Sequence, residues 1–299
     1  MMDIPLSLTR ILEYGASVHG STTVTTWHGE GTGSEFDPAE EVTFRDIAAR
    51  AAAFAHAIHD DLGITGDERV GSFMWNCAEH LEVMFGTACK GAIFAPLNKQ
   101  LMNDQIRHII NHAEISAIVC DPRLAQQLGK VLVGTDSVKS VIITGAQPAQ
   151  QFAHLFPRGI EVYSYEALID GRSTVYDWPE LDERTAAALC YSTGTTGAPK
   201  GVLYSHRSLY LEAMQLRSSD SLCITHGETF LCCIPICRVL SWGVPFTCFM
   251  TGTPLVLPDA DVSAPTLAKA IAATSPRVAH GVPTIWIQLF VHYMHHPPE

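Results

Sequence analysis

Tyr191-Ser192-Thr193-Gly194-Thr195-Thr196-Gly197-Ala198-Pro199-Lys200-Gly201 gathers four Ser/Thr hydroxyls, three glycines and one lysine in eleven residues. Glycines let a backbone approach a bulky anion, while exposed N–H groups and hydroxyls supply hydrogen-bond donors. A lysine adds one mobile positive charge. That combination is what a polyphosphate cradle needs, and it assigns Ser192, Thr193, Gly194, Thr195, Thr196, Gly197 and Lys200 to the phosphates of ATP. The loop is not of the Walker type, which places Gly before the lysine and Ser or Thr after it; here Pro199 precedes Lys200 and Gly201 follows. An ordinary surface turn draws on the same residue types. The coincidence of hydroxyl density, glycine spacing and lysine placement favours the cradle.

The flanks say what carries the loop. Ala186-Ala187-Ala188-Leu189-Cys190 reads as a buried strand, and Val202 to His206 leads through a short apolar run into a helix over 207–216. Upstream, strands at 69–74, 92–96, 116–120 and 140–143 alternate with helices at 78–90, around Ile106, Ile109 and Ile110, and at 124–131. Thr43 is placed to cap a helix that has Asp46 in its first turn, and Gly63 stops it. Alternation with brief links predicts parallel sheets with helical crossovers. The pattern weakens between Thr144 and Pro179, which sets the expected boundary between subdomains at 1–179 and 180–299. Downstream, strands are expected at 229–234, 254–257 and 277–280, with helices at 265–273 and 284–293.

Composition narrows the partners. With 47% apolar and 17% charged residues, the 299-residue chain is expected to bury a large core. Its formal net charge of −12 argues against nucleic acid, so an anionic ligand must be met by local positive charge. The most apolar region, 231–250, is interrupted by Pro235, Arg238 and Pro245, so no transmembrane segment is expected. Nine cysteines, mostly in apolar runs, suit small buried hydrophobes in a reducing compartment, and a cytoplasmic address follows as an expectation. Strand-like alternation points the adjacent Cys232 and Cys233 to opposite faces, so their cluster with Cys237 does not read as a metal site. A lone His206 after the loop reads as structural.

The stretch from Ser192 to Gly201 resembles the phosphate-loop signature of the adenylate-forming superfamily: acyl-CoA synthetases, luciferases and peptide-synthetase adenylation domains. The continuation Val202-Leu203-Tyr204-Ser205-His206-Arg207-Ser208, with Met74-Trp75-Asn76-Cys77-Ala78-Glu79-His80-Leu81-Glu82 and Gly91-Ala92-Ile93-Phe94-Ala95-Pro96-Leu97-Asn98, is most similar to the fatty acyl-CoA ligase branch. The resemblance implies an α/β fold of two subdomains with mostly parallel sheets flanked by helices, as in the large N-terminal domain of acyl-CoA synthetases. It implies a fatty acid, ATP and coenzyme A as small-molecule ligands, Mg2+ with the nucleotide, an acyl-adenylate and then a thioester. Which loop hydroxyl meets Mg2+ is left open, and homo-oligomers are allowed for. Other readings are a ligase for aryl or other carboxylic acids, and a non-catalytic fragment that binds nucleotide or a partner.

Two further segments enter through the resemblance. Where the family has a Pro-Met-Phe-His-like stretch, this chain has Pro235-Ile236-Cys237-Arg238, followed by Trp242-Gly243 in register. The family histidine lies near the acyl pocket and the path of CoA, so Arg238, a permanent cation, puts gating or substrate range in question. His280-Gly281-Val282-Pro283-Thr284 is similar to a segment lining the acyl side, which makes Arg238, Trp242, Gly281, Val282, Pro283 and Thr284 the acyl/CoA pocket candidates. Trp242, Phe246 and Trp286 are candidate tunnel walls. The family's Tyr-Gly-x-Thr-Glu segment, ribose-binding acid, hinge and small C-terminal lobe with its catalytic lysine are not found before Glu299. The expectation is the first part of a longer ligase, inactive alone, with its catalytic residue unassigned.

Overall fold

A computed structural model describes residues 3–29, 39–192 and 198–297. The elements run α1 (Leu8–Val18), β1 (Thr23–Trp27), β2 (Ala39–Thr43), α2 (Phe44–Asp60), β3 (Arg69–Phe73), α3 (Ala78–Lys90), β4 (Ile93–Pro96), α4 (Asn103–Ala113) and β5 (Ile115–Cys120). Next come α5 (Ala125–Leu132), β6 (Ser140–Ile143), β7 (Glu161–Ser164), α6 (Tyr165–Ile169), β8 (Ala186–Ser192), β9 (Lys200–Ser205) and α7 (His206–Leu216). The last are β10 (Phe230–Cys232), α8 (Val239–Trp242), α9 (Val244–Thr251), β11 (Leu255–Pro258), α10 (Ala264–Thr274), β12 (Val278–His280) and α11 (Pro283–His295).

These build two mostly parallel sheets with helical connections, the expected α/β class. The seven-stranded sheet has the order β7-β6-β5-β3-β4-β8-β9 and is antiparallel only at β8–β9. The five-stranded sheet has the order β12-β10-β11-β1-β2 and is antiparallel only at β1–β2. Strands β4 and β6 are buried at every position, the mark of a parallel sheet covered on both faces.

Packing divides the chain into two compact units. One is Met1–Arg10, Ala48–Met74 and Glu79–Leu211; the other is Ile11–Ile47, Trp75–Ala78 and Glu212–Glu299. The linear division into 1–179 and 180–299 is therefore not the one the packing makes. Strands β8 and β9 follow residue 180, yet they extend the first unit's sheet from β4, through Phe94 opposite Ala188. Conversely β1, near the N-terminus, pairs in parallel with β11, Val24 opposite Leu255.

Local chemistry explains the element ends. Thr43 and Asp46 form a reciprocal cap at the start of α2: the Asp46 N–H donates to Thr43 Oγ1 at 3.2 Å, and the Thr43 N–H donates to the Asp46 carboxylate at 2.9 Å. The Thr43 hydroxyl also donates to this carboxylate at 2.6 Å, and that bond, with the one from the Thr43 N–H, holds the Asp46 carboxyl below its ordinary pKa. In α4, Ile106, Ile109, Ile110 and Ala113 form the buried stripe. The second unit's core joins Trp27, Leu231, Cys233 and Val256 to Leu267, Ala270 and Leu289. Phe44 stacks on Phe249 with centroids 3.9 Å apart. All nine cysteines are free thiols, eight of them buried. No helix among the described residues is long and apolar enough to cross a membrane.

Within the first unit, α3 presses on α2 at Gly86, where an added Cβ would lie 2.7 Å from the Ala51 carbonyl oxygen and 3.0 Å from the Phe54 ring. Helix propensity alone favours Gly86→Ala by ~1 kcal/mol. Overlap with a main-chain oxygen reverses the sign, and the expected net loss of unfolding free energy is about 1–2 kcal/mol. Urea denaturation checks it; a more stable variant would show that the two helices part freely.

Candidate functional site

The described ends of the phosphate-loop stretch lie on the β8–β9 pair. Tyr191 faces Gly201 and Ser192 faces Lys200 across the antiparallel pair. The ends of the two strands therefore bring the Ser192 hydroxyl and the Lys200 ammonium to the two sides of one loop, both exposed. Thr193, Gly194, Thr195, Thr196 and Gly197 lie outside the described residues. Strand β8 runs parallel to β4, so the loop leaves from the carboxyl end of parallel strands, where open α/β sheets bind ligands. Gly201 has a packing reason: an added Cβ would lie 3.1 Å from Leu189 Cδ1 and 3.2 Å from the Tyr191 ring. The Tyr191 hydroxyl lies 2.7 Å from His112 Nδ1, which ties α4 to the base of the loop.

His206, the first residue of α7, serves the frame. It is fully buried, and its Nδ1 accepts the Leu8 N–H at 3.2 Å, so the proton sits on Nε2 in the neutral ring. Nearby Glu183 accepts the Leu6 N–H at 2.8 Å and pairs with Arg207. Burial pushes the His206 imidazole from 6.5 down to about 4. An unfolded chain therefore takes up this proton first as the pH falls. The contribution is complete above about 6.5 and is lost progressively toward the folded value. Between pH 6.5 and 5 the expected loss is about 2 kcal/mol. His206→Asn keeps an acceptor near the Nδ1 position and should flatten that slope in paired urea titrations. Equal acid sensitivity of the two chains would refute the assignment.

The acyl-side candidates lie in the second unit, and the structure brings their two segments together. The exposed Arg238 opens a turn in which Val239, Leu240, Ser241 and Trp242 have φ of 50°, 56°, 53° and 56°, with Gly243 at 72°. Four consecutive non-glycine residues are thus left-handed, at a cost of roughly 1–2 kcal/mol each. Contacts around the turn oppose that cost. Leu240 is fully buried, and Ser241 Oγ donates to the Ile234 carbonyl at 2.7 Å. His280 Nε2 lies 3.1 Å from the Ser241 carbonyl. Asn76 Nδ2 also donates to the Ile234 carbonyl at 2.9 Å, while its Oδ1 accepts the Ile236 N–H at 3.0 Å.

From His280 the chain enters the second candidate segment. Val282, Pro283 and Thr284 are exposed, and Pro283 starts α11 at the position where a missing N–H costs nothing. Trp286 Nε1 donates to the Gly281 carbonyl at 3.2 Å, and its ring lies where a Gly281 side chain would be. Of the three candidate wall residues, Trp242 is 55% exposed, Trp286 packs against the core cluster, and Phe246 is fully buried core. Ser241 and Asn76 were missed by sequence reasoning. Asn76, a polar residue between an apolar strand and an apolar helix, carried a signal; Ser241 carried none.

Against this geometry, the family model for AMP-binding enzymes matches residues 13–299. The chain belongs to the AMP-binding enzyme family. It is 32% identical over 292 residues to the 3-methylmercaptopropionyl-CoA ligase of Ruegeria lacuscaerulensis, covering 98% of this chain and 52% of the relative. It is also 32% identical over 289 residues to the medium-chain-fatty-acid–CoA ligase of Ectopseudomonas oleovorans, covering 96% of this chain and 50% of that one. A solved long-chain-fatty-acid–CoA ligase from Archaeoglobus fulgidus superposes with a TM-score of 0.81 at 21% identity, over 99% of this chain and 56% of that structure, which shows the shared fold. This AMP-binding enzyme chain spans about half the length of the curated relatives it matches.

Proposed function

We propose that this chain is the nucleotide-binding half of an ATP-dependent acid–CoA ligase acting on a medium-chain fatty acid or an acid of similar size. The observation that carries the reading is the hairpin geometry, which sets Ser192 and Lys200 on either side of the loop at the carboxyl end of β8. The loop hydroxyls and Lys200 hold the ATP phosphates while an acid carboxylate attacks the α-phosphorus in line, giving acyl-adenylate and pyrophosphate. The thiol of coenzyme A then attacks the acyl carbon and AMP leaves. Mg2+ arrives on the nucleotide's own phosphates. Two relatives of equal identity name different acids, a medium-chain fatty acid and 3-methylmercaptopropionate, which supports an acid of modest length over a long or aryl one.

About half of the relatives' length has no counterpart in the matched residues, and we propose that turnover requires it. Two measurements on the 299-residue chain test the reading: calorimetric MgATP binding, and acid-dependent ATP–pyrophosphate exchange with octanoate, 3-(methylthio)propionate and benzoate. The expected result is nucleotide binding with exchange at background. Exchange above background would show that this half suffices and would name the acid; absence of MgATP binding by a folded chain would sink the nucleotide-site reading. The free thiols accord with a cytoplasmic address. The exposed stripe Ile287, Phe290, Val291 and Met294 on α11 accords with self-association. Phe290→Lys should lower the associated fraction in sedimentation equilibrium; an unchanged fraction would remove this face from consideration.

A further inference from the structure

We propose that His280 is a positioning residue: with Ser241 it holds residues 239–242 in their left-handed turn and thereby fixes where Arg238 and the exposed Trp242 stand. Val, Leu, Ser and Trp do not choose this conformation for themselves, since each places its Cβ against the following carbonyl. Four in succession, one of them β-branched Val239, persist only where surrounding contacts over-determine them.

Those contacts converge on the main chain of two residues, Ser241 and Ile234. The Ser241 carbonyl would be served by the N–H of residue 245 if α9 continued backward as one right-handed helix, but residue 245 is a proline and has no N–H. His280 Nε2, at 3.1 Å, supplies the missing donor. Because a carbonyl only accepts, the proton is on Nε2, which leaves Nδ1 to face the Ile234 N–H at 3.5 Å. The Ile234 carbonyl in turn accepts Ser241 Oγ at 2.7 Å. The imidazole therefore links the end of β10 to the turn through both ring nitrogens. His280 is 8% exposed and Ser241 fully buried, so water competes little for these bonds. Gly243, at φ 72°, returns the chain to the right-handed α9 without the strain a side chain would add.

The consequence for acid or CoA selection rests on the ligase function proposed above, but the positioning itself does not. Its test therefore contains no acid, nucleotide or CoA, and failure of one idea is distinguishable from failure of the other. The 299-residue chain, labelled with 5-fluorotryptophan, gives fluorine signals from its five tryptophans, with Trp242 assigned by Trp242→Phe. His280→Ala is expected to shift or broaden the Trp242 signal while Trp27 and Trp178 stay in place. Adding Val239→Gly to His280→Ala should return Trp242 toward its original position, because glycine enters the left-handed region without steric cost. A histidine that merely filled core space would show no such rescue. The proposal is overturned by a Trp242 signal indifferent to His280→Ala, or by one that Val239→Gly cannot restore. Should His280→Ala unfold the chain, Ser241→Ala takes its place in the same comparison and is judged by the same two outcomes.

Discussion

Replacing Arg50 with methionine is expected to lower the unfolding free energy by about 2–3 kcal/mol at neutral pH, and by more where Glu82 ionises. Arg50 on α2 donates from Nε to Glu82 on α3 at 2.9 Å, and its two terminal nitrogens grip Glu166 on α6 at 2.6 and 3.1 Å. Glu82 is 2% exposed, and its other oxygen accepts the hydroxyl of fully buried Tyr165 at 2.8 Å. Burial pushes the Glu82 carboxyl upward, against the pull of Arg50. Removing the guanidinium takes away the group that pulls this carboxyl down, so it rises further, stays protonated at neutral pH and is left in the interior with the Tyr165 hydroxyl, while Glu166 loses its contacts with Arg50. The sign of the pH dependence follows. A carboxyl raised above its unfolded value is penalised most at high pH, so the deficit of Arg50→Met should be larger at pH 8 than at pH 5. Arg50→Met combined with Glu82→Met should recover much of the loss, since an apolar pair of similar volume replaces the ion pair. Urea titrations of the three chains at both pH values decide it. A single variant as stable as the parent would mean that water reaches Glu82.

This network also shows where sequence reading stops. Helix 78–90 was expected with the bounds it has, and Thr43 with Asp46 marked the start of α2, because both signals are local. Nothing local pairs Arg50 with residue 82 or 166. The same limit explains the division of the chain, since the β1–β11 pairing joins Val24 to Leu255. Two edge strands show a different limit. Strand β2 carries the exposed Glu40 and Glu41, the polar face that protects a sheet edge but reads as loop. In β9 the short apolar run is itself an edge strand, with Val202 and Leu203 42% and 61% exposed on the antiparallel edge. The left-handed turn after Arg238 was illegible for a different reason. Val239, Leu240, Ser241 and Trp242 each argue against it, and only contacts with residues 234 and 280 select it. Such conflicts between local preference and global structure are expected where a site is being shaped.

Lys200→Ala is expected to weaken MgATP binding by the 299-residue chain about 100-fold, or roughly 2.7 kcal/mol. Ser192 and Lys200 are opposite each other at the last rung of the β8–β9 ladder, so the lysine stem leaves the sheet at the point where the loop does. Pro199 is buried beside it, which restricts the backbone that aims the side chain. A chain with net charge −12 repels a polyphosphate at long range, so local cations must outweigh the background. One ammonium on a phosphate oxygen is worth ~1.5–3 kcal/mol as a charge-assisted contact, and the sparse positive charge in the loop places the effect toward the upper end. Because Lys200 is exposed, its removal should leave the unfolding midpoint unchanged, which separates loss of binding from loss of fold. Lys200→Arg keeps the charge but replaces a compact ammonium with a planar fork, and should recover only part of the affinity. Binding that survives Lys200→Ala intact would place the phosphates elsewhere. Binding lost in both variants, at unchanged stability, would show that the site needs the point charge of lysine itself.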